Sequence, residues 1–461
     1  MMTKYVYDND GNVARKSDML GDITTKYDYN DSNLLVRSEV YDGDTTASDA
    51  LESRMQYTYT KSGKVGTLSY QETGEDIRTY TYTYARDEKP VKSTLPDKSY
   101  TEWTYDSLRR NTKIVHTPKS GAAAGKKLNT LLTYKNVDTT THEGKTRKNK
   151  TGLVESYTNK LGSTLVSQYH YTYDGWSNIT KIETPDTQNL REYTYNDLGE
   201  VVRATETYGN GTTTEYAYTY DAGGNIVTEI IGDKVHTYTY DETWKDKLIS
   251  YDGKTITYDV FGCPLNYMGS TMTWDIYGGL TSVDNGTDTI TYTYMGDGQR
   301  RSKTVNGVTT TYHYNNGMLL SETTGEETLR YYYDSTGKIA EIVYKKGDNA
   351  ETGYFFARNA QGDVIAIYRS TDSKLMGTYE YDLWGKLVNI TPTVDDTDNI
   401  TEKNPYRYRS YYYDEETGFY YLKARYYDPQ IRRFISADSM NVLMVATTDV
   451  TCKNLFVYSE N

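Results

Sequence analysis

Residues 216–227 decide the fold, and they read Tyr216-Ala217-Tyr218-Thr219-Tyr220-Asp221-Ala222-Gly223-Gly224-Asn225-Ile226-Val227. The tyrosines alternate with small residues, so their rings share one face of a β-strand. The Asp at the strand end can accept a hydrogen bond from backbone two residues further on. One of the glycines then supplies the positive φ that a tight turn needs. The aliphatic residues after the turn begin a return strand, so the stretch predicts a β-hairpin with a buried tyrosine ladder.

The same pattern recurs along the chain. Clear copies are Tyr5-Val6-Tyr7-Asp8, Tyr171-Thr172-Tyr173-Asp174, Tyr193-Thr194-Tyr195-Asn196, Tyr238-Thr239-Tyr240-Asp241, Tyr331-Tyr332-Tyr333-Asp334 and Tyr379-Glu380-Tyr381-Asp382. From Tyr195 to Tyr333, successive copies begin 16 to 25 residues apart. A single hairpin is marginally stable in water, so neighbouring units must bury one another's faces. The repeat therefore predicts an all-β protein with more than about 40% strand, in which the hairpins form one long, curling antiparallel sheet.

Composition agrees with a thin sheet better than with a solid globule. The 461 residues include 52 Tyr but only 6 Phe and 5 Trp, and hydrophobic residues make up 36%. The net charge of −13 argues against a nucleic-acid partner that is bound through its phosphates. No apolar stretch approaches the roughly 20 residues that a membrane span requires, and the start has no signal-peptide core. Cys263 and Cys452 are too few for a disulfide framework.

The regularity of the array changes in two places. We assign residues 1–390 to the array, with an irregular region at about 117–150 that we expect to form long loops or decayed repeats. An acidic linker follows at 391–404, then an aromatic block at 405–438 and a tail at 439–461. Glycines at 121 and 125 beside Lys126 and Lys127 lack the spacing of a phosphate-binding loop.

The remaining motifs do not indicate a metal or a cofactor. Residues 8–12 lack the Glu that a calcium loop needs. The five His residues have no metal-ligand spacing, and His170, His236 and His313 lie in Tyr-rich strands. The tyrosine rows leave two readings open. They are the packing ladder of the sheet, or they are exposed rows that bind a cell-surface glycan in a carbohydrate-binding or adhesion module.

The aromatic block is the most specific feature, and residues 404–438 read NPYRYRSYYYDEETGFYYLKARYYDPQIRRFISAD. This resembles the core signature of Rhs (rearrangement hot spot) proteins, whose arrays are called YD repeats. The resemblance implies a hollow β-shell like those of teneurins and ABC-toxin C components, with the core at one end. It also implies a secreted or cell-surface protein whose shell encloses or presents a C-terminal toxin or other polypeptide cargo.

The resemblance further implies a self-cleaving aspartic-protease site in the core, built from an Arg and two Asp residues. By motif position the Arg is Arg425 and the first Asp is Asp438. The second Asp would lie beyond the last residue, so we expect a fragment or a shortened cassette with an incomplete site. Structural roles for this pair stay open: an ion pair or aromatic stacking for Arg425, and a turn for Asp438. The sequence also departs from the family at Arg432, where a Gly is usual.

Overall fold

The computed structural model describes residues 3–19, 22–119, 126–140, 146–438, 454–456 and 458, and side-chain placement is given outside 137–149. Strands account for 58% of the chain and helix for 2%. The predicted all-β class is confirmed. Within the described part of the chain, no helix is long and apolar enough to cross a membrane.

Thirty-four strands form one sheet. The first fifteen are β1 Thr3–Tyr7, β2 Val13–Asp18, β3 Ile23–Tyr29, β4 Leu35–Asp42, β5 Leu51–Tyr59, β6 Val65–Glu72, β7 Arg78–Tyr84, β8 Pro90–Thr94, β9 Tyr100–Tyr105, β10 Asn111–Thr117, β11 Leu128–Thr140, β12 Thr146–Leu161, β13 Thr164–Tyr173, β14 Ile179–Thr184 and β15 Asn189–Tyr195. A short 3₁₀ turn at Ser48–Ala50 precedes β5.

The array continues without a change of pattern. Its later strands are β16 Val201–Thr207, β17 Thr213–Tyr220, β18 Ile226–Ile231, β19 Lys234–Tyr240, β20 Leu248–Tyr251, β21 Lys254–Tyr258, β22 Pro264–Tyr267, β23 Ser270–Trp274, β24 Leu280–Asp284, β25 Thr289–Tyr294, β26 Arg300–Val305, β27 Val308–Asn315, β28 Met318–Thr324, β29 Glu327–Tyr333, β30 Ile339–Lys346, β31 Thr352–Arg358, β32 Val364–Arg369, β33 Leu375–Tyr381 and β34 Leu387–Pro392.

The aromatic block forms a second, small sheet. After the single-turn helix α1 Ile400–Lys403 and a 3₁₀ turn at Tyr408–Ser410, its strands are β35 Tyr412–Asp414, β36 Phe419–Tyr421, β37 Tyr426–Asp428 and β38 Arg433–Phe434. In both sheets each strand pairs antiparallel with the next strand of the chain. The whole array is therefore one continuous meander.

The Tyr-Asp pair of each repeat performs two different tasks. The Asp Oδ1 holds the turn: Asp221 accepts hydrogen bonds from the backbone N–H groups of Gly223 (2.8 Å) and Asn225 (3.0 Å). Gly224 has the predicted positive φ, at 77°. The Tyr reaches the preceding hairpin instead, since the Tyr220 hydroxyl donates to the carbonyl oxygen of Val201 at 2.7 Å.

This tyrosine–carbonyl link recurs throughout the array. Its donors are Tyr29, Tyr59, Tyr84, Tyr105, Tyr134, Tyr173, Tyr195, Tyr220, Tyr240, Tyr294, Tyr333 and Tyr381. The acceptor usually begins the return strand of the preceding hairpin. Two other donor types fill the same place, Trp274 toward Pro264 and Arg358 toward Ile339. A hydroxyl that caps a buried carbonyl explains why the repeat requires Tyr where Phe would supply the same ring.

The sheet coils so that its early strands lie against its late ones. The side-chain and backbone pairs that join the two windings are Lys16–Asp297, Ser38–Asn315, Arg78–Tyr332, Ser93–Ser335, His116–Glu341, Asn159–Arg358, Tyr171–Gln361 and Arg191–Tyr381. We call this contact the seam. The coil does not close, because within the described chain β1 pairs only with β2, and β34 only with β33.

Two expectations need correction. Of the two forms expected for the irregular region, long loops or decayed repeats, its described part does not form long loops, since β11 and β12 are the longest described strands, of 13 and 16 residues. Their Thr, Val and Tyr residues favour strand even without the Tyr-Asp-Gly turn. The glycines at 121 and 125 lie outside the described residues. The segment 391–404 is packed structure more than a linker, because Asp396 accepts from the backbone of the buried Ile400 at 2.8 Å. Tyr220 is half-buried, while Tyr216 and Tyr218 are the buried members of its ladder.

Candidate functional site: the aromatic block and its end

The aromatic block lies against the strands from β17 to β34 and is fixed to them by buried arginines. Arg300 at the start of β26 forms a two-pronged ion pair with Asp414, at 2.8 and 2.6 Å. Five tyrosine rings surround the guanidinium with centroids 4.1 to 5.7 Å from its carbon: Tyr292, Tyr312, Tyr412, Tyr421 and Tyr426. Although burial pushes the pKa of Asp414 up, the charges of Arg300 and Lys303 hold it below its usual value.

A second anchor lies where the sequence departs from the family. Arg432 has φ 60°, a backbone region that favours glycine, which explains the glycine usual at this position. Its Nη2 lies 2.8 Å from Oε1 of Glu229 in β18, and both side chains are buried. The neighbouring Arg433 donates to Tyr240 at 2.8 Å and to the carbonyl of Asp246 at 2.5 Å. The strained backbone at Arg432 is therefore offset by an ion pair that glycine could not make.

The predicted Arg and Asp are brought together. Arg425 Nη2 lies 2.9 Å from Asp438 Oδ2, and the guanidinium carbon is 3.7 Å from the centroid of the Phe434 ring. Both side chains are partly exposed, at 21% and 30%. Burial lowers the pKa of Arg425, and the Asp438 charge opposes that shift. Arg425 therefore forms an ion pair with Asp438 and stacks on Phe434. These are the structural contacts that the sequence analysis kept open as the alternative to a catalytic role.

Asp438 lies beside a tight turn of the array. The Asp438 backbone N–H and Arg425 Nη1 both donate to the Leu455 carbonyl, at 3.0 and 3.2 Å. The Ala437 N–H donates to the carbonyl of Gly262 at 3.2 Å. A Cβ at Gly262 would come within 2.8 Å of the Trp244 ring of the array and 3.0 Å of the Ala437 Cβ, so the close approach of Ala437 requires glycine there.

If a second carboxylate lay within the present chain, Asp428 and Asp449 would be the first candidates, but Asp428 has other partners. Its Oδ2 accepts from the Tyr267 hydroxyl at 2.7 Å, and its Oδ1 accepts from the Gln430 N–H at 2.8 Å. Burial raises the pKa of this carboxyl. Asp428 is therefore a buried contact between the block and β22. The other candidate, Asp449, lies outside the described residues, as do His142 and Cys452.

A cluster that sequence reasoning missed lies in the seam. His116 Nε2 is 2.9 Å from Glu341 Oε1, and Asp97 and Glu341 act on one another as hydrogen-bonding partners. Burial raises the pKa of Asp97 to about 7, helped by Glu341, and burial raises that of Glu341 to about 7. Burial lowers the pKa of His116 to about 4. These groups lie far apart in sequence, so only the coil brings them together.

Tyrosine exposure bears on the carbohydrate-binding alternative. Among the described residues the exposed tyrosines are Tyr5, Tyr7, Tyr208 and Tyr277, and the other rings are buried or half-buried. The rows are therefore packing ladders of the sheet. Within the same residues no group of three or more His, Cys, Asp or Glu side chains could hold a metal ion. Cys263 is buried, and burial raises its pKa to about 12.

Solved structures share this fold. The crystal structure of TcdB2-TccC3-TEV superimposes with a TM-score of 0.56 at 17% identity, covering 100% of this chain and 27% of that chain. The Tc holotoxin pore of Photorhabdus luminescens gives a TM-score of 0.53 at 16% identity, covering 100% of this chain and 26% of that chain. At these identities the likeness concerns the fold alone.

Sequence relatives match part of the chain. The tRNA nuclease WapA of Bacillus subtilis (strain 168) is 36% identical over 200 residues, which is 42% of this chain and 8% of that protein. YibJ of Escherichia coli (strain K12) is 33% identical over 134 residues, 27% of this chain and 52% of YibJ. The model of the teneurin YD-shell matches residues 125–461, which include most of the array and the entire aromatic block. With the Tyr-Asp turns, the coiled meander and this match, the chain belongs to the teneurin YD-shell family.

Proposed function

We propose that this chain is a structural shell segment that encloses or presents a polypeptide C-terminal to the aromatic block. The observation that best supports the proposal is the attachment of the block to β17–β34 by buried arginine–carboxylate pairs. A segment that closes one end of a shell needs such a fixed position. The family resemblance supplies the class of cargo, a toxin or other polypeptide. We also infer that the protein acts at or beyond the cell surface, which fractionation of producing cells would check.

Protection of a fused polypeptide tests the enclosure. A short reporter that contains the recognition sequence of a site-specific protease is fused after residue 461, and the same reporter is fused before residue 1 as the matched control. We expect the C-terminal reporter to be cut at least about tenfold more slowly in the folded protein, because a polypeptide enclosed by the sheet reaches the protease only after local opening. Equal cutting of the two fusions would overturn enclosure. In urea the two rates should become equal.

The Arg425–Asp438 pair is proposed as one half of a self-cleaving site. Two carboxylates are needed, because one must act as base toward water while the other stays protonated as acid. We therefore expect the 461-residue chain to stay intact on incubation. A longer chain that carries a second Asp-Pro-x-Gly motif should cut itself, and Asp438→Asn should abolish the cut, whereas Asp233→Asn at an exposed turn should not.

The opposite result would place the missing carboxylate within the present chain. If the 461-residue protein were processed in a manner that depends on Asp438, then Asp428 and Asp449 would be the first residues to replace. The nuclease activity in the name of the WapA relatives is not carried over, because this chain aligns with 8% of that protein.

A further inference from the structure

A cavity of about 350 Å³ lies in the seam, between strands β2 to β6 of the first winding and strands β26 and β27 of the second. Asn315 in its wall is hydrogen-bonded to the hydroxyls of Ser38 and Ser53 from the first winding, at 2.5 and 3.2 Å. On β26, Arg300 binds the aromatic block, whereas the next residue, Arg301, lines the cavity. The cavity is therefore separate from the block anchor, and its volume is within the range of small-molecule sites.

Three ionisable side chains in the cavity wall have no partner of their own. Among the described residues, no hydrogen bond or ion pair involves the side chain of Glu52, Arg301 or His313, and all three are half-buried. Burial raises the pKa of Glu52, while the charges of His313 and Arg301 act against that rise. A polar group that loses water without gaining a partner costs free energy. A ligand that supplied the missing partners would recover that cost.

Other charged groups of the wall are already paired. Lys16 Nζ lies 2.8 Å from Asp297 Oδ2. Glu72 accepts from Arg330, and Asp18 accepts from a backbone N–H of the facing turn. The cavity thus offers one carboxylate, one guanidinium and one imidazole to a ligand.

The wall also has an apolar part. It is formed by Ile23, Val40 and Met295, beside Tyr27 and Tyr70. A ligand that fits the whole cavity must therefore carry a negative group, a positive group and an apolar portion within a small volume. A free α-amino acid with an apolar side chain has these three parts.

We propose that this cavity is a binding site for a free α-amino acid with an apolar side chain. Arg301 pairs with the carboxylate of the ligand, for which the planar guanidinium supplies two parallel donors, and His313 donates beside it. Glu52 accepts from the ammonium group, and the apolar part of the wall holds the side chain. The inference does not rest on the enclosure of a cargo, since every residue that it uses belongs to the array.

L-Leucine is the probe, and it is titrated against the full chain. Two analogues share its methyl groups: 4-methylpentanoate lacks the ammonium group, and 3-methylbutylamine lacks the carboxylate. Saturation-transfer NMR of these methyl groups measures all three Kd values in the same way. We expect saturable binding of leucine, and each analogue should bind at least about tenfold more weakly, the effect of losing a hydrogen bond to a charged group.

Two variants assign the charges of the ligand to the wall. Arg301→Gln should raise the Kd of leucine at least about tenfold and leave that of 3-methylbutylamine unchanged. Glu52→Gln should weaken leucine and leave the Kd of 4-methylpentanoate unchanged. An unchanged Kd for one ligand also shows that the variant is folded. The matched controls, Arg86→Gln and Glu242→Gln at exposed positions, should keep all three native values.

The proposal would be overturned if the native chain did not bind leucine saturably, or if either analogue bound as tightly as leucine. It would be overturned equally if Arg301→Gln and Arg86→Gln gave the same Kd for leucine. The comparison of leucine with its analogues uses the native chain, so it decides the question even where a variant does not fold.

Discussion

The array meets the aromatic block and its own first winding through interfaces of opposite chemistry. Against the block, the buried charges Arg300 and Arg432 each face a carboxylate at hydrogen-bonding distance. In the middle of the seam, Asp97 and Glu341 face one another beside a His whose pKa burial lowers to about 4. At the block, burial raises the pKa of Glu229 against the opposing charge of Arg432, whereas the charges of Arg300 and Lys303 hold the pKa of Asp414 below its usual value. At the seam, burial raises the pKa of both carboxyls to about 7, so they lose protons near neutrality. The difference indicates a permanent attachment at the block and an adjustable one at the seam.

The largest effect should come from breaking the block anchor. Asp414→Asn leaves Arg300 buried without a counter-charge, which we expect to lower the free energy of unfolding by about 3–5 kcal/mol. Denaturant unfolding of the full chain, followed by circular dichroism, measures it. Glu415→Gln, the exposed neighbour, should change the unfolding free energy by less than about 0.5 kcal/mol. A loss at Asp414 no larger than at Glu415 would show that the anchor does not stabilise the fold.

Arg432→Gly tests the anchor against its own backbone strain. Glycine removes the strain of a left-handed backbone conformation, which costs about 1–2 kcal/mol for a residue with a Cβ. It also removes the counter-charge of Glu229, and a buried carboxylate without its ion-pair partner costs about 3–5 kcal/mol. We expect a net loss of about 1–4 kcal/mol in the unfolding free energy, the difference of those two terms. Adding Glu229→Gln should recover much of that loss. A gain in stability from Arg432→Gly alone would mean that strain outweighs the ion pair.

The seam should respond to pH. Between pH values of about 4 and 7 the folded state keeps the protons of Asp97 and Glu341 that the unfolded chain has released, so this contribution to stability falls as pH rises. His116 opposes it, because its pKa of about 4 in the fold makes stability rise with pH up to its usual value of 6.5. Because two carboxyl groups oppose one imidazole, the free energy of unfolding should fall overall as pH rises through this range. Other charges also shift the pKa values in this cluster. Arg358 lowers the pKa of His116 and Asp334 raises it, while Lys119 lowers that of Glu341.

Comparison of the native chain with Glu341→Gln isolates the seam from the other titrating groups. The amide of the variant cannot ionise. The unfolding free energy of the native chain, relative to that of the variant, should therefore decrease as pH rises from the usual pKa of a glutamate toward the value of about 7 that Glu341 has in the fold. The protection of the β10 amides, corrected for the intrinsic pH dependence of exchange, should fall with pH in the native chain and stay constant in the variant. Glu326→Gln, an exposed residue, is the control and should keep the native profile. A constant difference would contradict the raised pKa of Glu341 in the folded protein.

The smallest effect concerns the link between hairpins. Tyr220→Phe keeps the ring and removes the hydroxyl that caps the Val201 carbonyl, so we expect a loss of about 1 kcal/mol in the unfolding free energy. Thr219→Ala, on the exposed face beside it, should cost less than about 0.5 kcal/mol. Equal effects at the two positions would show that the link between hairpins contributes nothing beyond ring packing.

The sequence alone predicts what is local. The Tyr-Asp-Gly pattern identifies the strands, the turns and the positive φ at Gly224, because each depends on a few adjacent residues. It also pairs Arg425 with Asp438 through the family motif. The tyrosine–carbonyl link could have been found as well, since eight of the twelve donors named above immediately precede an Asp or Asn.

What depends on the coil could not be predicted. Arg300 and Asp414 are separated by 114 residues, and His116 and Glu341 by 225. The sequence around each of these four residues does not identify the residue that it contacts. Each contact depends instead on how far the sheet curls from one hairpin to the next. The strands of the aromatic block are also only two or three residues long. Residues of these strands, such as Asp414 and Asp428, bind side chains of the array.

The strictly sequential pairing of the meander has a consequence for how the molecule is assembled during synthesis. Each new strand finds its partner in the strand just made, so the array can grow as it leaves the ribosome and closes only short loops. The contacts of the block, by contrast, reach back to strands made long before. The arginine anchors of residues 405–438 can therefore form only after the array strands that they contact have been translated.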